Sequence, residues 1–111
     1  MYRLTIELVA WVGVLIDERL SKTKPSAVKH LDEASTSIAL NIAEGNGKRS
    51  VVDRARFLDI ARGSALESAA CLDVLAARKR LEPFELTPGK DMLIRIVSML
   101  TKLIEKLLSS S

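Results

Sequence analysis

Apolar side chains recur along this chain with a helical period. In residues 2–20, Leu4, Leu8, Trp11 and Leu15 fall about a turn apart, with Val12 and Ile16 in an adjoining row. Spacings of three and four residues place them on one broad helix face. The segment ends within SKTKPS, because Pro25 cannot continue a helix and disfavours helical backbone at Lys24. A second helix is predicted over residues 26–44. Val28, Leu31, Ser35, Ile38 and Ile42 mark its face, and Gly45 follows as the natural left-handed stop. The third and longest pattern runs over residues 51–81. Ser50 serves as its N-cap, with Asp53 near the positive helix end. Phe57, Ala61, Ser64, Ser68, Cys71 or Leu72, and Leu75 form its stripe. Thr87 as N-cap and Pro88 at the first helical position predict a fourth helix, reaching about Leu108.

Four helices joined by short connections predict an all-α, antiparallel up-down-up-down four-helix bundle, with residues 1–111 as a single domain. The fourth helix carries two apolar rows. One holds Met92, Ile96, Met99 and Leu103; the other Leu93, Val97, Leu100, Ile104 and Leu108. Together with the wide face of the first helix, they predict burial on two sides and therefore self-association. Gly63 stands among Ala61, Ser64, Ala65, Ser68 and Ala69. Such a run of small residues predicts a close seam with the alanine-rich second helix, with Gly63 at the contact. Composition agrees with helices: 48% of the residues are apolar but only 4% aromatic.

Charge changes the picture by its distribution. The net formal charge is +3, and the excess lies wholly in the middle third, where residues 45–80 carry a net +4. Lys48, Arg49, Arg54 and Arg56 cluster at the start of the third helix, and Arg78, Lys79 and Arg80 at its end. Clusters of this kind can meet phosphate; they also occur on ordinary solvated helix faces. The single cysteine, Cys71, excludes an intramolecular disulfide and lies on an apolar stripe, the setting of an inert thiol in a reducing cytoplasm. Glu7 interrupts the apolar N-terminal run, which is too short to span a bilayer and lacks a cleavage site, so no membrane association is expected.

Candidate chemistry is sparse. The lone His30 has no helical pairing with a carboxylate of the kind that builds a metal site, so neither metal nor cofactor is expected. In SIALNIAEGNGKRS, residues 37–50, glycines precede a lysine and a serine, but the spacing is not that of a phosphate-binding P-loop and a helix precedes it. What remains is a helix N-terminus at Ser50 beside Lys48, Arg49 and Arg54, a plausible anion site. Asn41 and Glu44 share one face of the second helix. They are read as closing hydrogen bonds to the start of the third helix or to an arginine such as Arg49, rather than as a catalytic pair.

The stretch SIALNIAEGNGKRS followed by RFLDIARGSALESA resembles the four-helix-bundle family of 23S rRNA intervening-sequence proteins, which includes the accessory protein of diversity-generating retroelements. The shared pattern falls on Ser37, Ile38, Asn41, Ile42, Ala43, Glu44 and Gly45, then on Arg56, Phe57, Leu58, Ile60, Ala61, Gly63, Ser64 and Glu67. The resemblance implies a ring-like homopentamer and a non-enzymatic role. It implies binding to structured RNA or DNA and, in retroelements, to a reverse transcriptase. Where the family commonly has two basic residues before the motif, this chain has Asp32 and Glu33, which removes positive charge from that face. Ala65 stands in place of the usual leucine.

The expected function is therefore that of a cytoplasmic, homo-oligomeric accessory protein binding nucleic acid through Lys48, Arg49, Arg54, Arg78, Lys79 and Arg80. Asn41, Glu44, Gly45, Gly63 and Ser64 form its structural motif. The alternative is a scaffold that binds only protein, its basic residues serving solubility and salt bridges between subunits.

Overall fold

The computed structural model describes residues 1–109; the predicted domain limit at residue 111 lies outside the described residues. Four helices follow one another: α1 (Tyr2–Arg19), α2 (Pro25–Asn46), α3 (Val51–Ala77) and α4 (Pro83–Ser109). Each packs against its neighbours in sequence, and α4 closes the square against α1. The backbones of the diagonal pairs stay more than 8 Å apart among the described residues, and their side chains meet in the shared core. The result is the predicted up-down-up-down bundle, about 47 Å long and 20 Å across.

The periodic apolar positions build one core. Leu8 and Val12 of α1, Leu31, Ile38 and Ile42 of α2, Leu58, Leu72 and Leu75 of α3, and Ile96 and Leu100 of α4 are essentially sealed from solvent. Each contributes about 1.5–3 kcal/mol relative to exposure. The inward stripes of α2 and α3 are small midway: Ala34, Ser35 and Ala39 on α2, and Ala61, Ser64, Ala65 and Ser68 on α3. Small side chains let these two backbones approach, and α2 and α3 form the most extensive pair in the bundle. Buried hydroxyls in this layer find carbonyl partners nearby: Ser35 donates to Asp32 O at 3.1 Å and Ser68 to Ser64 O at 2.9 Å. These two hydroxyls are thereby not left as a desolvation cost.

Several expectations need correction. Gly63 does not lie in the α2–α3 seam. It is exposed, and a Cβ added there would meet nothing within 4 Å. The inward stripe passes through Ala61, Ser64 and Ala65, and Gly63 falls outside it. The close approaches occur instead at Gly45 and Gly89. A Cβ at Gly45 would lie 3.2 Å from Phe57 Cβ and 3.3 Å from Arg54 O; one at Gly89 would fall inside the Trp11 ring. Gly45 is not a left-handed stop either, since α2 continues to Asn46 and no glycine among the described residues has positive φ.

Helix α4 begins at Pro83, five residues before the predicted Pro88, which is internal. Glu85 accepts a hydrogen bond from the backbone N–H of Glu82 at 2.9 Å, one half of a capping box, and Pro83 supplies the favoured first residue. This EPFE signal outweighs the one at Thr87 and Pro88. Helix α3 stops at Ala77 rather than near residue 81, because Lys79 adopts the left-handed conformation at φ 60°. The two apolar rows of α4 mostly turn inward. Leu93, Ile96 and Leu100 are buried, and Met92, Val97, Met99, Leu103 and Ile104 pack against the core. A helix wedged between two neighbours needs a wide apolar face, so the double row is not by itself an outward surface.

Candidate functional site

At the α2–α3 turn, Ser50 accepts the backbone N–H of Asp53 at 3.3 Å, confirming it as the N-cap of α3. The basic residues around it are largely engaged. Lys48 pairs with Glu44 at 3.7 Å, and Arg56 with Asp53 at 3.8 Å. Both also sit over the Phe57 ring, Lys48 Nζ at 5.0 Å from its centroid and Arg56 Cζ at 4.6 Å. Two cations against one aromatic ring form a stacked cluster, each contact contributing about 0.5–1 kcal/mol near the surface. Arg56 thus shares its ring with Lys48. Arg49 is exposed with no ion pair, and Arg54 holds its Nε enclosed without a hydrogen-bond partner.

The motif residues tie α2 to α3. Asn41 donates to Ser37 O at 2.9 Å and to Ser37 Oγ at 3.0 Å, and Ser37 Oγ lies 2.9 Å from Ser64 Oγ. Asn41 therefore reaches back along its own helix rather than to the start of α3, and it orients the serine that bridges the two helices. Glu44 is held by Lys48, not Arg49. Ser37 was visible in the motif, but its partner was not, because sequence spacing does not set the interhelix register.

At the opposite end of the bundle, the backbone N–H of Arg80 reaches Leu75 O and that of Lys79 reaches Ala76 O, both at 2.9 Å. These are the paired bonds of a Schellman stop, with Lys79 where glycine is favoured. Arg78, Lys79 and Arg80 are exposed and form no ion pair. Arg78 and Arg80 line a cavity of about 370 Å³ with Thr23, Lys24, Ala27 and Leu75. Lys24 was not among the predicted site residues; it joins the arginines only because the α1–α2 turn folds beside the end of α3. A second space of about 390 Å³ adjoins it between α2 and α3, sharing Ala27, Leu75 and Arg78 and lined also by His30, Glu67 and Cys71. Burial pushes the half-buried Cys71 thiol up, and the charge of Glu67 adds to this, so the thiol is a slower nucleophile near neutrality than an exposed one.

A charged tie closes the same end. Arg19 Nε lies 2.5 Å from Glu85 Oε1, with Arg19 Nη2 at 3.3 Å from Oε2. The Arg19 hydrogen bond holds Glu85 below the ordinary carboxylate range, helped by the Glu82 backbone N–H, and Glu85 in turn raises Arg19. Lys90 and Asp73, at 2.5 Å, and Arg62 with Thr101, at 2.8 Å, link α3 to α4.

No helix among the described residues is long and apolar enough to cross a membrane. Among solved structures, the fold is similar to a protein of unknown function from the S23 ribosomal protein family of Bacteroides thetaiotaomicron VPI-5482. That likeness has a TM-score of 0.78 at 22% identity and covers 92% of each chain. No curated protein matches the chain. The profile of the 23S rRNA-intervening sequence protein family matches residues 1–102, through all of α1, α2 and α3 and most of α4, and the chain belongs to that family.

Proposed function

We propose that this chain is a non-enzymatic, cytoplasmic accessory protein that assembles as a homo-oligomer and binds nucleic acid through its basic ends. The observation that carries the reading is a group of cations at the two ends that have no anionic partner among the described residues, with Lys24, Arg78, Lys79 and Arg80 at one end and Arg49 and Arg54 at the other. Uncompensated cations attract phosphate and release its counterions on contact. In a ring of five copies, as family resemblance suggests, the net charge would total about +15, a steering field for polyanions. Self-association is supported by a surface groove between α3 and α4, flanked by the exposed Leu66 and Ile94 and floored by Ala65, Leu93 and Val97. The resemblance adds a reverse transcriptase as a protein partner.

A scaffold that binds only protein is the second reading. It is favoured by the engagement of Lys48 and Arg56 with carboxylates and with Phe57. Filter binding of a structured RNA at two salt concentrations separates the readings. Nucleic-acid binding predicts retention that falls steeply with salt, and a scaffold retains nothing. Light scattering tests assembly: a monodisperse monomer of 12.2 kDa at micromolar concentration overturns the oligomer.

A further inference from the structure

The geometry points to a nucleotide-sized site in two adjoining cavities between the N-terminal half of α2 and the C-terminal half of α3: Lys24, Arg78 and Arg80 hold the phosphate, and the adjoining apolar groove takes the base. This inference rests on the nucleic-acid reading above and specifies it, because a groove of this kind admits an unpaired nucleotide and not a stacked base pair.

Three observations converge. The cavity at the end of α3 is lined by Lys24, Arg78 and Arg80, none of which has an ion pair or a side-chain hydrogen bond among the described residues. Three unpaired cations around one concavity suit a compact, multiply charged oxyanion, and arginine's planar fork matches phosphate oxygens bidentately. A second space adjoins the cavity. Ala27, Leu75 and Arg78 line both, and the wall of the second space is largely apolar and includes Ala70, Cys71 and Val74. The far end of that space carries Glu67. A carboxylate there repels phosphate and accepts hydrogen bonds from an exocyclic amine, such as that of cytosine. The groove therefore has a polarity: cations at its mouth, apolar walls in the middle, and an acceptor at its end. Phosphate, sugar and amino-bearing base follow one another in the same order. His30, exposed on the rim of the same space, offers a planar ring for stacking. At the α2–α3 turn, by contrast, Lys48 and Arg56 already have carboxylate and aromatic partners.

The single cysteine provides a local reporter, since Cys71 lines the groove and no other thiol is present. The experiment uses the full chain and a short single-stranded oligocytidylate, with a blunt duplex of equal length as comparison. Fluorescence anisotropy at several salt concentrations gives affinity, and mass spectrometry after maleimide treatment gives labelling of Cys71. The expected result has three parts. The oligocytidylate slows Cys71 labelling and the duplex does not. Combined Lys24→Ala, Arg78→Ala and Arg80→Ala substitutions weaken binding about tenfold or more, the loss expected when a charged hydrogen-bonded contact is removed. The same substitutions lower the salt slope by about 0.7, one phosphate in a single strand. All three side chains are on the surface, and the backbone bonds that stop α3 do not depend on them, so unchanged thermal unfolding is expected and checks the fold. Wild-type binding that survives the triple substitution with the same slope overturns this site while leaving nucleic-acid binding intact. A complex in which Cys71 is labelled as fast as in the free protein also overturns it. Absence of any oligonucleotide binding overturns both this inference and the reading on which it rests.

Discussion

The two ends of the third helix carry similar positive charge but use it differently. At the N-terminal end, Lys48 and Arg56 flank Phe57 and reach Glu44 and Asp53, so half of the cluster belongs to the turn's own architecture. At the C-terminal end, Arg78, Lys79 and Arg80 make only backbone bonds among the described residues, and the side chains of Arg78 and Arg80 border an open cavity beside Lys24. The lesson is that a count of lysines and arginines does not locate an anion site. What counts is whether nearby carboxylates and aromatic rings already occupy the cations.

The ends also differ in how they bring helices together, and substitution of their glycines sharpens that difference most. Gly89→Ala places a methyl group within the Trp11 ring, so α4 must move away from α1 or the indole must leave its site. We expect a loss of about 3 kcal/mol, the upper part of the range for overpacking. At the other end, Gly45→Ala meets Phe57 Cβ at 3.2 Å and Arg54 O at 3.3 Å, a shortfall of a few tenths of an ångström against α3. Alanine regains about 1 kcal/mol of helix propensity there, so the net loss should be about 1 kcal/mol. The exposed Gly63→Ala is the reference and should gain up to about 1 kcal/mol. Urea denaturation midpoints of the three variants give the order. A Gly45 variant less stable than the Gly89 variant would reverse this comparison.

The C-terminal stop of α3 offers a smaller and opposite effect. Lys79 occupies a left-handed position, which costs an L-residue roughly 1–2 kcal/mol and glycine almost nothing. Lys79→Gly should therefore stabilise the fold by about 1 kcal/mol, after the greater freedom of glycine in the unfolded chain is deducted. Lys79 does not line the cavity of Lys24, Arg78 and Arg80, so the same variant should leave oligonucleotide affinity nearly unchanged. A stabilised protein that binds markedly less would extend the anion site to Lys79.

The fold was legible because it follows from periodicity. Each inward stripe lies where spacings of three and four residues put it, and Ser50 caps α3 as its side chain predicts. The start of α4 was misread because two proline signals compete within ten residues, and the deciding bond, from Glu82 N–H to Glu85, belongs to the earlier one. Gly63 was misread because a run of small residues shows that a close seam exists without showing which of them face it. The site was legible only in part. Arg78 and Arg80 stood out as a cluster, whereas Lys24 lies more than fifty residues away in sequence and meets them only through the packing of α2 on α3. The stacking of Lys48 and Arg56 on Phe57 likewise depends on the path of the turn, which sequence spacing does not set.

The smallest expected effect concerns the ion pair that ties the C-terminal end together. Arg19 and Glu85 join the end of α1 to the start of α4 in a two-pronged geometry, and the hydrogen bond from Arg19 lowers the Glu85 pKa in the folded chain. A carboxyl that binds its proton less tightly when folded stabilises the fold at pH values above its unfolded pKa of about 4.3. That contribution is lost as pH falls through the lowered folded value. Glutamine can still accept the Glu82 N–H, so Glu85→Gln removes the charge while keeping the capping bond available. The variant should melt slightly below the wild type at neutral pH, and the gap should close on acidification past the ordinary glutamate range. The pair lies at the surface, so added salt should narrow the neutral-pH gap as well. Glu44→Gln, which breaks only the looser 3.7 Å contact with Lys48 at the other end, should produce a smaller neutral-pH difference. Scanning calorimetry across pH reads both. If the Glu44 variant loses more, or if the Glu85 gap persists unchanged in acid, the tie between α1 and α4 does not distinguish the C-terminal end.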